Sequence, residues 1–216
     1  MRIENCEYPD DLLYDVEGGT WGKRQGALMK IGLTPRMSWA AGGFTFVSFK
    51  VVGTEVAMGA NLGSVEGPKK FDVVRAPFSC VIKATNGELR EQPKLANRDP
   101  FGAGWFAKVE QVGSETRFQS MSKAAKGIEA SLKAVNVRCF KKFPDLELFE
   151  LGTECSATLV KVSDVLESSE KGTVLHLVSD NPTSPAELEV WSDSTGNPLV
   201  ETRTEGDLFH FIVEKN

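Results

Sequence analysis

Histidine is scarce in this chain: His176 and His210 are the two it has in 216 residues. With so few, no Ser/His/Asp catalytic ordering is evident, and no paired carboxylates stand out above an ordinary surface. The cysteines Cys6, Cys80, Cys139 and Cys155 show no Cys-x-x-Cys spacing, so no metal site is expected. No Gly-rich phosphate loop follows a strand, and residues 59 to 63, Gly-Ala-Asn-Leu-Gly, read as a strand turn. Long apolar runs are missing too. Nothing approaches the roughly 18 residues of a membrane span, and the opening MRIENCEYPDD lacks the basic and apolar regions of a secretory signal. Membranes are therefore not an expected partner. The expected compartment is the cytoplasm, where the cysteines would be free thiols. A basic surface is also lacking: Lys and Arg number 25 against 30 Asp and Glu, a scattered net charge of −5, which argues against nucleic acid as a partner. An enzyme with its own active site is not expected.

What is present is most informative between residues 52 and 80. Apolar positions alternate through Val56, Met58, Leu62 and Val65 to Glu66, then resume at Phe71 and Val73. Two strands thus flank Gly67-Pro68-Lys69-Lys70, where Gly and Pro suit a turn for backbone reasons. A lysine at such a tip has a hydrated ε-amine, suited to acylation by a modifying enzyme.

Several blocks carry a family resemblance: YPDDLLYD, VGTEVAMGANLGSVE, APFSC and NGELREQPKLANRDPFGAGW. Through them residues 8 to 110 resemble the glycine cleavage system H protein, a lipoyl carrier. The resemblance implies a β-rich lipoyl/biotinyl-type barrel-sandwich hybrid, with lipoate joined covalently to Lys69 by a lipoate ligase or lipoyl transferase that reads Glu66, Gly67 and Pro68 around it. Lys69 has the family spacing, seven residues before Ala76 and three after Glu66. Gly67 stands where the family usually has Ser or Thr, and Lys70 where it has a small residue. Cys80 replaces a turn glycine and reads as a packing change.

Length and the end of this block favour two domains in an α+β chain. We expect the lipoyl domain over 1–112, a helical linker over 113–144 and a second domain over 145–216. Phe118, Met121, Ala125, Ile128, Leu132 and Val135 recur at helical steps. They predict an amphipathic helix over 118–135, either laid against one domain or forming a dimer seam.

From Asp145 the pattern reads strand, helix, strand, helix, strand, strand. Ser184-Pro185-Ala186-Glu187 has a capping-box pattern, and Gly196 suits the end of that helix. The segment FELGTECSATLVKV, Gly172, the Asp180-Asn181-Pro182 turn and the ending DLFHFIVEK are similar to the TusA-like sulfur-carrier family. That resemblance implies a two-layer α/β sandwich (βαβαββ) and a persulfide-carrying cysteine at Cys155. Ser156 and Thr158 replace two family prolines. At the first turn of a helix the thiol meets unpaired N–H groups and the positive end of the dipole, so a lowered pKa is expected, opposed by Glu154.

The two resemblances together imply a bifunctional, mostly non-enzymatic carrier with at most weak sulfurtransferase activity. Its partners would be sulfur-transfer or heterodisulfide-reductase-like proteins in cytoplasmic sulfur transfer and oxidation. Two other readings stay open: an H protein shuttling an aminomethyl group among glycine cleavage system proteins with an accessory second domain, and a non-catalytic interaction scaffold.

Overall fold

Alternating apolar residues build two sheets in the first part of the chain, and the computed structural model describes residues 1–216 throughout. Strands Thr20–Gln25, Leu28–Leu33, Trp105–Gln111 and Cys80–Thr85 lie side by side within a seven-stranded sheet. A three-stranded antiparallel sheet is formed by Phe46–Phe49, Asn61–Glu66 and Phe71–Arg75. One apolar core draws from both, with Ile31, Leu62, Val65, Ile82 and Phe106 fully buried. Gly63 is required at their meeting: a Cβ there would lie 2.2 Å from the Ser48 carbonyl oxygen and 2.7 Å from the Phe106 ring. This is the barrel-sandwich architecture that the family resemblance implied.

The chain divides into two compact units, Met1–Cys139 and Phe140–Asn216. The helix Met121–Ala134 belongs to the first. It buries Met121, Ala124, Ile128 and Leu132 in a second cluster with Tyr8, Tyr14 and Trp21. Met121, Ile128 and Leu132 each contribute about 1.5–3 kcal/mol by leaving water. Because that stripe is occupied within its own unit, the dimer seam expected over 118–135 is not available; its first positions, Gln119–Ser120, are strand instead.

One cysteine expectation is corrected. Cys6 and Cys139 form a disulfide across 133 residues, tying the start of the unit to its end. Both sulfurs are buried in the helix-bearing cluster, which sequence spacing gave no means to see. Cys80 and Cys155 are free thiols. Cys80 sits in the main core, where burial pushes its pKa up to about 11.

The second unit is a four-stranded sheet with two helices. Leu146–Glu150 and Val174–Ser179 pair in parallel, as a strand-helix-strand crossover requires, and Leu208–Glu214 pairs antiparallel with both Val174–Ser179 and Leu199–Glu205. Leu175, Leu177, Phe211 and Val213 pack with Val162, Leu166, Leu188 and Trp191. Gly196 ends the helix Ser184–Thr195 in the left-handed conformation at φ 74°. The expected capping box does not form, because the Ser184 hydroxyl pairs with Ser179 Oγ at 2.9 Å.

Both histidines meet in this unit: His176 Nε2 and His210 Nδ1 lie 3.0 Å apart, so one proton serves both facing nitrogens. Burial lowers the His210 pKa, with Glu205 opposing and Arg203 adding to the shift. The unfolded chain takes up the proton near pH 6.5, whereas the folded one resists it. This contribution to stability is therefore present above that pH and lost as pH falls below it. The urea midpoint of the second unit is expected to drop between about pH 7 and pH 5.5, and less so for His210→Phe; an unchanged midpoint would refute the assignment.

Candidate functional sites: the Lys69 turn and the Cys155 helix start

Glu66 closes its strand opposite Phe71 on one side and Phe46 on the other. Residues 67–70 then make a closed turn: Gly67 N donates to Lys70 O at 2.9 Å and Lys70 N to Gly67 O at 3.3 Å. This turn is seated on the end of the helix Pro35–Ala41 through Lys69 N, which donates to the Ala41 carbonyl at 3.0 Å. Gly42, at φ 70°, caps that helix and leaves room for the Lys69 stem, whose Cδ lies 3.0 Å from where a Cβ would be. A Cβ on Gly67 would lie 2.2 Å from the Gly43 oxygen and 2.3 Å from the Ala41 oxygen. The departure from Ser or Thr at this position is thus a fit to the helix end.

The two adjacent lysines differ physically. Lys70 Nζ pairs with Asp72 Oδ2 at 2.6 Å, on the strand that follows the turn. Lys69 is exposed, with its backbone held to the helix and its stem beside Gly42. A primary amine on an anchored turn fits amide attachment of a long acyl group, and nothing buried has to open to admit one.

Sequence reading did not assign roles to the residues that brace this turn. Asn97 Oδ1 accepts from Phe44 N at 3.0 Å, and Trp21 Nε1 donates to the Pro100 carbonyl at 2.9 Å. The Asn97-to-Trp105 block therefore fixes Phe44, which directly follows the Ala41–Gly43 platform. Its glycines and polar residues were visible as a pattern, but their partner lies 53 residues away.

Cys155 is the first residue of the helix Cys155–Glu167 and is 4% exposed. The loop before it is locked by Asp180, whose carboxylate oxygens accept from Gly152 N at 2.9 and 3.0 Å. The two motifs read separately in sequence meet here. Thr158 N makes the first helical bond, to Glu154 O at 3.1 Å, a donor that proline at that position would not have.

The expected lowering of the Cys155 pKa is overturned: its pKa is raised. Burial is the largest cause; Ser184 and Thr183 hydroxyls pull downward, while the Glu187 carboxylate raises it as hydrogen-bond acceptor and as charge. These groups come from the start of the helix Ser184–Thr195, about thirty residues on, rather than from Glu154 and Ser156. The same Glu187 lines an apolar groove of about 470 Å³ with Leu159, Ala186, Val190 and Trp191. Alkylation of Cys155 by iodoacetamide is accordingly expected to be slow at pH 7 and to rise with a midpoint above the ordinary thiol value of about 8.5. In Glu187→Gln the midpoint should fall. A midpoint below pH 7 would contradict this environment.

The family model described as "Glycine cleavage H-protein" matches residues 12–134, more than half of the chain. The chain belongs to the glycine cleavage H-protein family. A second model, "Sulfurtransferase TusA", matches residues 150–215. The H-protein part is 38% identical over 104 residues to a probable glycine cleavage system H protein of Haloarcula marismortui, covering 48% of this chain and 81% of that one. It is 36% identical over 110 residues to the glycine cleavage system H protein of Mycobacterium bovis, covering 50% and 81%. Among solved structures, a glycine cleavage system H protein from Mycobacterium marinum aligns with a TM-score of 0.50 and 28% identity, over 55% of this chain and 98% of that one. The chain therefore joins an H-protein-like lipoyl carrier domain to a TusA-like sulfur-carrier domain. H-protein relatives carry lipoate covalently on a lysine. No helix is long and apolar enough to cross a membrane.

Proposed function

We propose that Lys69 carries lipoate and Cys155 carries sulfane sulfur, in a single chain serving sulfur transfer and oxidation. The observation that supports this most is the pair of carrier positions: an exposed lysine on an anchored turn in one domain, and in the other a thiol held between two helix starts beside a carboxylate. Lipoate, when bound, would supply a dithiol–disulfide couple. Around it Glu66, Gly67 and Pro68 present the turn to a lipoate ligase or lipoyl transferase, while Gly42 gives the lysine stem its course.

At the other site the thiol proton passes to Glu187 as Cys155 Sγ attacks the outer sulfur of a donor persulfide, R–S–SH. A bond forms between Sγ and that sulfur, the R–S bond to it breaks, and the leaving thiolate takes up the proton as R–SH. The product is Cys155–S–SH, with oxidation level conserved. Raising the thiol pKa keeps Cys155 protonated until a donor is seated, which protects it from adventitious oxidation.

Incubation with a low-molecular-weight persulfide, followed by intact mass, should add sulfur to the protein and to Cys80→Ser but not to Cys155→Ser. Equal loading of Cys155→Ser would remove the sulfur-carrier reading. The similarity to glycine cleavage system H proteins supports a second reading, the aminomethyl-carrying role in glycine cleavage. Loss of growth on glycine as nitrogen source after gene deletion would favour it.

A further inference from the structure

A cleft in the first unit, away from the Lys69 turn in function, has the makings of a ligand site. Asp15 is 2% exposed, and its Oδ1 accepts from Gly18 N at 3.0 Å. Its Oδ2 is buried without a partner; the hydroxyl of Tyr8, which is 1% exposed, is buried beside the Arg36 backbone and guanidinium. Both line a small chamber of about 10 Å³ with Thr34, Arg36, Ile128 and Ser131. That is room for one group the size of water or an ammonium. Asp15, Arg36 and Ser131 also line the adjoining open cleft, of about 430 Å³, whose other walls include Glu17, Arg117 and Gln119.

Both signs of charge line this path. The inner end offers an acceptor oxygen of a buried carboxylate, and a buried acceptor without a donor is unfavourable. Two guanidiniums flank it: Arg36, which lines both spaces and whose charge reaches the Tyr8 hydroxyl, donates through Nη2 to Glu17 O at 3.1 Å, and Arg117 Nη1, in the open cleft, lies 3.3 Å from Glu17 Oε2. A guanidinium has five N–H donors, so each retains donors for an anion.

We propose that this cleft binds a small zwitterion of the α-amino-acid class. Its ammonium enters the chamber to donate to Asp15 Oδ2, with Tyr8 Oη as a second acceptor, and its carboxylate meets Arg36 and Arg117. Two acidic and two basic side chains line the cleft, so a neutral zwitterion with separated charges complements it, and a simple anion or cation satisfies only one end.

Titration of the full chain with glycine, L-alanine, acetate and ethylamine, followed by backbone amide NMR, tests this. Saturable shifts at Gly18, Gly19 and Ser131 are expected with at least one of the two amino acids, with at least tenfold weaker response to acetate or ethylamine. Asp15→Asn, which keeps the oxygen that accepts from Gly18, should weaken binding by tenfold or more, and Arg117→Gln on the exposed rim should do so without changing the melting temperature. No saturable shift with either amino acid, or equal binding of acetate, would overturn the proposal. A chamber filled by water alone would appear as the first of these.

Discussion

Replacing Lys69 by arginine is expected to abolish lipoylation of the chain, whereas Lys70→Arg should retain it at near the wild-type rate. Charge is preserved in both, so a difference between them reports position. Lys69 is placed by its backbone bond to Ala41 and by the space over Gly42, while Lys70 is drawn toward Asp72. That ion pair is exposed and contributes at most about 1 kcal/mol, so it biases the lysine's orientation without locking it. Incubation with lipoate, ATP and a lipoate ligase, followed by intact mass, reads the outcome. An adduct on Lys69→Arg as abundant as on wild type would mean that the turn presents its neighbour instead.

Gly67→Ser should weaken the protein even though serine is the residue the family usually has there. The substituted Cβ would meet two backbone oxygens and the Ala41 Cβ, none of which is a flexible side-chain end that can swing aside. Overpacking of this kind costs about 1–3 kcal/mol. The affected contacts are those holding the Lys69 turn on the helix end, so the lipoylation rate should fall in the same variant. A urea midpoint and modification rate equal to wild type would show that the turn shifts freely on Pro35–Ala41.

The turn itself was legible in the sequence because its determinants are local: alternation sets the strands, and Gly-Pro sets the reversal. The reason for glycine at 67 was not, since the atoms it avoids belong to residues 41 and 43. The same holds at the second site. The family resemblance placed Cys155 at a helix start, where it stands, yet its protonation follows from burial and from Glu187 on another helix. The rule of lowered thiol pKa at a helix start lost to desolvation. The Cys6–Cys139 pairing escaped for a related reason: 133 residues of separation carry no spacing signal, and only the packing of Met121–Ala134 on the first unit brings the two ends together. What the helix pattern left open, a lone docked helix or a dimer seam, was decided by its burial against Tyr8, Tyr14 and Trp21.

Two covalent cargoes on one chain should be visible together in intact mass and peptide mapping of the protein purified from its native host without reductant. A lipoyl adduct on the peptide containing Lys69 together with added sulfur on the peptide containing Cys155 is the predicted result; a Cys155 peptide always unmodified, from a host whose Lys69 peptide is lipoylated, would contradict it.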